Sequence, residues 1–283
     1  MNVVSLFNGM NTGRQALENV GIKVNKYYSS EIKPYAIELT QHHFPDTIQV
    51  GDVTKWKEWN IDWKSIDLIL SGSPCQDLSA AGKRAGINGS KSSLFFVFIE
   101  ILEHIKILNP NVLFLQENVG SASKLDVGIM SRALGVYPVR INSKLVTAQL
   151  RDRYYWSNIK TKETMFDIVT DIPQPKDRGI MFKDIITSGF VDKIKALCML
   201  QSICSAESLE KNQKSLLNRM KGRFIDGVFE NNKYRTLNKI EMCRLQGFPD
   251  DYCDILTTAK AGSLLGDGWT LPIIEHIFNF IER

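Results

Sequence analysis

Cys75 stands in Ser71-Gly72-Ser73-Pro74-Cys75-Gln76, directly after the apolar run Ile66–Leu70. The thiolate is the reactive form of cysteine and needs a local field to lower its pKa. Here the thiol follows a proline-braced turn and precedes a loop rich in Gly and Ser. A second apolar run, Asn111–Leu115, leads into Gln116-Glu117-Asn118-Val119. If the two runs are neighbouring strands, their ends offer a thiol and a carboxyl group over one pocket. The third element is Gln149-Leu150-Arg151-Asp152-Arg153, where strand alternation puts Arg151 and Arg153 on one side. Guanidinium groups so placed can hold a carboxylate or a phosphate in fixed orientation. Singly, each element has a plainer reading: a structural cysteine, a strand-end acid, a solvated charge cluster.

A second group of residues suits a nucleoside. The first apolar run passes into Phe7-Asn8-Gly9-Met10-Asn11-Thr12-Gly13, with a helical pattern after it. Glycines at such a turn let backbone approach a ligand, and the helix start supplies free N–H groups. The second run ends in Ser29-Ser30-Glu31, with the acid 18 residues after Gly13, and the third in Gly51-Asp52-Val53. Glu31 would take ribose hydroxyls and Asp52 the adenine amino group. No phosphate-cradling lysine follows the glycines, so the turn is not a Walker loop. The acidic edge suits a sulfonium cation better than a pyrophosphate. A glycine-rich turn with two solvated acids is the alternative.

The elements that would position these residues alternate. Strand-like runs at Asn2–Phe7, Val24–Ser29, Thr47–Val50, Ile66–Leu70 and Asn111–Leu115 are interleaved with helical patterns at Gly13–Val20, Lys33–His43 and Leu94–Ile107. Further strands are expected at Ser143–Thr147 and Arg153–Trp156. This alternation predicts an α/β fold with a mostly parallel, doubly wound sheet, whose ligands sit beyond the carboxyl ends of the strands. Residues 161–234 break the rhythm and read as a small separate domain, leaving 1–160 and 235–283 as the main one. The chain closes with an apolar helix expected over Leu271–Ile281.

Composition excludes several classes. The 283 residues are 43% hydrophobic and 23% charged with a net charge of +4, which permits a polyanionic partner without requiring one. No signal-peptide pattern and no 18-residue apolar run are present, so a cytoplasmic protein without a membrane span is expected. The five cysteines include no CxxC pair and lie far from the histidines, which argues against a metal site or a disulfide framework. Most of the cysteines read as small buried hydrophobes, with Cys75 the exception.

In this order the motifs resemble the DNA cytosine-5 methyltransferases through nearly all of the chain outside residues 161–234. Phe7–Gly13 is similar to the first cofactor motif, Pro74-Cys75-Gln76 to the nucleophile motif, Glu117-Asn118-Val119 to the acid motif and Gln149–Arg153 to the paired-arginine motif. Arg235-Thr236-Leu237 with Glu241–Pro249 resembles the segment after the target-recognition region, and Gly262–Pro272 the last cofactor motif. Ser5–Gly9 with Thr12-Gly13, and Leu264–Trp269, are similar to the animal de novo enzymes. The regulatory modules of those enzymes are absent, so a bacterial or phage origin is expected. Two departures bear on cofactor affinity: Asn11 and Thr12 replace a glycine pair, and Asp267-Gly268 replaces an asparagine-serine or arginine-serine pair.

The resemblance implies a Rossmann-like fold, S-adenosyl-L-methionine as methyl donor (S-adenosyl-L-homocysteine as product) and double-stranded DNA as partner. It implies a cofactor site of Phe7, Asn8, Gly9, Met10, Asn11 and Thr12, then Glu31, Ile32, Asp52 and Val53, then Pro74 and Leu94, and lastly Asp267, Gly268 and Trp269. Cys75 would add to cytosine C6, Glu117 would act at N3, and Arg151 and Arg153 would orient the base, the acid or a phosphate. The base would flip out of the duplex. Gln76 would face DNA, as would Ser79, Lys83, Arg84 and Lys91 on a glycine-hinged loop in the acid-free stretch Leu78–Ile99. Within 161–234, Arg219, Lys221 and Arg223 would help read the target. Three rivals are weighed: an inactive relative, which should have lost Cys75 or Glu117; a transfer-RNA methyltransferase, whose Cys-Phe-Thr signature is missing; and a nicotinamide oxidoreductase, which leaves both tripeptides unexplained.

Overall fold

The structure, a computed structural model, describes residues 1–74, 94–199, 213–221 and 226–282. Its apolar runs form β1 (Asn2–Leu6), β2 (Lys26–Ser30), β3 (Ile48–Gln49), β4 (Leu68–Ser71), β5 (Leu113–Val119), β6 (Val139–Asn142) and β7 (Asp152–Ser157). Among the described residues these make a seven-stranded sheet in the order β3-β2-β1-β4-β5-β7-β6. Four neighbouring pairs, from β3 through to β5, run parallel, and β7 lies antiparallel to β5. The helices are α1 (Thr12–Asn19), α2 (Pro34–His43), α3 (Leu94–Leu108) and α4 (Lys124–Leu134). This is the mostly parallel, Rossmann-like fold that the alternation predicts. The strand order reverses between β1 and β4, which places the Phe7–Gly13 turn and the Ser71–Pro74 turn at one switch point.

Packing follows from the patterns. Helix α3 buries Phe95, Phe98, Ile101, Leu102 and Ile105, a stripe at helical spacing, in one core with Val4, Leu6, Ile69 and Phe114. Gly13 lets α1 sit close to the sheet, because a Cβ there would meet Leu70 Cδ1 at 2.4 Å. Ser123 caps α4 through Asp126 N, and Gly135 ends it in the left-handed region at φ 72°.

One expected strand is absent. Ser143–Leu145 is a short 3₁₀ turn, and the strand lies just before it, at β6. The Asn142 side chain accepts from Lys144 N at 3.0 Å and caps the turn, which outweighs the β-branched Val146 and Thr147.

The chain forms two compact units. The first is Met1–Ile141, Asp152–Gln174 and Glu275–Arg283; the second is Asn142–Arg151 and Pro175–Ile274. The segment 161–234 straddles them. Its hairpin, β8 (Thr161–Glu163) and β9 (Ile168–Thr170), belongs to the first unit. The second contains α5 (Gln213–Lys221), the hairpin β10 (Val228–Glu230) and β11 (Lys233–Arg235), α6 (Lys239–Gln246) and α7 (Thr258–Asp267). Its own core gathers Ala148, Phe182, Ile185, Ala196, Val228 and Leu245. The closing helix α8 covers Leu271–Phe278.

Candidate active site

Strands β4 and β5 pair in register Ser71↔Gln116, so the turn leading to Cys75 leaves the sheet beside Glu117. Cys75 itself, with Gln76, Ser79, Lys83, Arg84 and Lys91, lies outside the described residues. Glu117 is 8% exposed. On the other side, β7 pairs Val119 with Arg153 and Tyr155 with Glu117. That register sets Arg153 diagonally across from the acid, and its Nε lies 2.7 Å from Glu117 Oε1. Arg153 Nη1 also donates to the Asp152 carbonyl at 2.8 Å. The ion pair is largely shielded, with side-chain exposures of 12% and 11%.

Arg151 does something else. Strand β7 begins only at Asp152, so Arg151 precedes the alternation that would have put it beside Arg153. It is buried, and its Nη1 donates to Cys198 Sγ and the Met199 carbonyl at 3.3 and 3.2 Å. Its Nη2 donates to the carbonyls of Gly266 and Gly268 at 3.1 and 2.7 Å. These carbonyls close the C-terminal end of α7, where backbone acceptors lack helical partners and a cation is favoured. The expectation of two arginines sharing one side therefore fails for Arg151, which holds the Gly266–Gly268 turn within the second unit.

Gln246 supports the same turn and was not singled out by the sequence reading. Its Nε2 donates to Leu265 O at 2.5 Å, and its Oε1 accepts from Gln149 Nε2 and Thr270 Oγ1 at 3.1 and 2.9 Å. Its signal was its place in Leu245-Gln246-Gly247-Phe248-Pro249, but only the fold shows what it holds.

At the glycine turn, Phe7, Gly9 and Asn11 all adopt positive φ, at 55°, 57° and 64°. Glu31 braces this turn from β2: Oε2 accepts from Gly9 N at 2.8 Å, and Oε1 from Ile32 N and Lys33 N at 2.8 and 2.9 Å. Asn8 sits beneath, donating to Thr40 Oγ1 and accepting from Tyr27. Met10, Asn11 and Thr12 are buried, and Ile32 is exposed. Among the described residues the Asn11 carboxamide finds no partner for either atom. Asp52 caps the turn at Val53; the Thr54 N–H and hydroxyl bond its carboxylate and hold it below the usual range. Pro74 and Leu94 are half-buried at the borders of the undescribed segment.

The remaining expected residues lie in the second unit. Asp267 is exposed, and Gly268 and Trp269 are half-buried. Arg219 and Lys221 are exposed on α5, and Arg223 lies outside the described residues. Cys243 and Cys253 are buried, as small hydrophobes would be. Among the described residues, no cluster of His, Cys, Asp and Glu could hold a metal, and no helix is long and apolar enough to cross a membrane.

The profile of the C-5 cytosine-specific DNA methylases matches residues 1–165 and 147–283, which together span the chain. The chain belongs to that family. It is 33% identical over 175 residues to the orphan methyltransferase M.SPRI of Bacillus phage SPR, covering 56% of the chain and 38% of that relative. It is 35% identical over 213 residues to the type II methyltransferase M.NgoBV of Neisseria gonorrhoeae, covering 68% of the chain and 49% of that relative. The chain thus matches less than half the length of either methylase. Among solved folds, the Dnmt2 methyltransferase of S. pombe superposes with a TM-score of 0.66 at 16% identity, over 99% of this chain and 98% of that one.

Proposed function

We propose that this chain methylates C5 of cytosine in double-stranded DNA, with S-adenosylmethionine as donor and Cys75 as transient covalent nucleophile. The observation that carries this reading is the shielded Glu117–Arg153 pair at the end of β5, beside the strand that leads into Pro74-Cys75-Gln76.

The Cys75 thiolate adds to C6 of the ring, forming an S–C6 bond and shifting the C5–C6 π pair toward C5. Glu117, when protonated, hydrogen-bonds N3 and passes it that proton as charge arrives there, leaving a carboxylate paired with Arg153; the proton returns when the thiolate leaves. C5 becomes nucleophilic. After C5 is methylated, a base removes its proton, the C5–C6 double bond re-forms, and the thiolate leaves. A cytosine in a duplex must first leave the stack, which costs a few kcal/mol.

S-adenosylmethionine, when bound, supplies an electrophilic methyl group on a sulfonium. The residues present fit it: the turn Phe7–Thr12 offers backbone in left-handed conformations, Glu31 and Asp52 are carboxylates suited to hydroxyls and an amino group, and Ile32 and Val53 are apolar. In the second unit, Asp267–Trp269 resembles the last cofactor motif. We assign target recognition to residues 161–234, with Arg219, Lys221 and Arg223 facing DNA. Labelled-methyl transfer to duplex DNA tests the reading. The wild type transfers label and Cys75→Ala does not; equal transfer by both, or greater transfer to RNA, overturns it. Bisulfite sequencing of DNA from expressing cells then reads the target.

A further inference from the structure

Gln116 has no part in the chemistry above, yet it lies between its two ends. It is fully buried on β5, paired with Ser71 of β4 on one side and Trp156 of β7 on the other. Its Nε2 donates twice: to Ser73 Oγ at 3.0 Å and to the carbonyl of Glu117 at 2.7 Å. Ser73 is itself buried, on the turn two residues before Cys75. The amide oxygen of Gln116 is buried with no partner among the described residues. A leucine or methionine of similar volume would remove the unpartnered amide oxygen at the cost of the two donations to Ser73 and Glu117. The carboxamide thus gains little in stability, and what it adds is a bridge from the turn before Cys75 to the main chain of the acid. Such exceptions to hydrogen-bond satisfaction gather where chemistry sets the requirement.

We propose that Gln116 is a positioning residue: by bridging Ser73 and Glu117 it holds the turn that leads to Cys75 against the main chain of the acid. This rests on the roles given to Cys75 and Glu117 above. Gln116 is fully buried, so it acts on the rate of adduct formation and not on ligand affinity.

The test is covalent capture by a 5-fluorocytosine duplex with saturating S-adenosylmethionine, beside equilibrium binding of each ligand and thermal unfolding. In Gln116→Met the capture rate falls about 10- to 100-fold, the effect of a small misplacement. Affinities for cofactor and duplex stay within about twofold and the melting temperature changes little, because the two lost donations are offset by removal of the unpartnered oxygen. Ser73→Ala shows the same loss, and the double variant is no slower than either single one, since both remove one bridge. Should Gln116→Met not fold, Ser73→Ala decides alone. Capture at the wild-type rate overturns the proposal, as does a loss that tracks weakened binding or multiplies in the double variant. A wild type that binds both ligands and is never captured overturns the underlying reading as well, so the two failures are distinguishable.

Discussion

Arg153 reaches the Glu117 carboxylate with its Nε at 2.7 Å, whereas the Arg151 guanidinium closes on the carbonyls of Gly266 and Gly268. The same substitution at the two positions should therefore fail in different ways. Arg153→Ala removes the cation that orients the acid; methyl-transfer kinetics should show kcat lowered about 10²- to 10⁴-fold, the usual scale for general acid–base catalysis. Its stability should fall as well, because the shielded Glu117 carboxylate loses its partner. Arg151→Ala strands several buried acceptors and should lose about 2–4 kcal/mol in urea denaturation. The motif was legible because its residue types are distinctive, but the division of labour was not. Which arginine faces the acid depends on β7 starting at Asp152, a tertiary fact that alternation does not encode.

Helix α1 and strands β1, β2 and β4 meet at Gly13, where an added Cβ would lie 2.4 Å from Leu70 Cδ1 and 3.0 Å from the Tyr27 hydroxyl. Gly13→Ala should destabilise the first unit by about 1–3 kcal/mol through overpacking, read as a fall in denaturation midpoint. In the second unit, Glu241 is fully buried; burial alone would raise its pKa, but Arg235 and the N–H groups of Thr187 and Asn238 outweigh that and lower it. A depressed carboxylate pKa stabilises the fold above the unfolded value, near 4.5, and that contribution fades as pH falls through the folded value. Glu241→Gln should thus cost about 3 kcal/mol at pH 7 and progressively less below that value, in urea titrations across pH. Parallel strands of continuous apolar residues were easy to read, together with the acids at their ends. The capped turn at Ser143–Leu145 was not, because its Asn142 cap competes locally with a β-branched pattern. Gln116 was hidden for another reason: its importance lies in a contact with Ser73, 43 residues away.

At the scale of the molecule, the first unit holds the thiol-bearing turn, the acid and the glycine turn, and the second holds the last motif and the basic helix α5. The proposed reaction on a flipped base converges on one bond, between the Cys75 sulfur and cytosine C6. A duplex carrying 5-fluorocytosine replaces the proton that must leave with fluorine, so the adduct persists. Incubated with the protein and S-adenosylmethionine, it should give a protein–DNA species stable to denaturant, with the link mapped by mass spectrometry to Cys75 and absent in Cys75→Ala. A wild-type protein that binds both the duplex and the cofactor, yet forms no such species, contradicts the account.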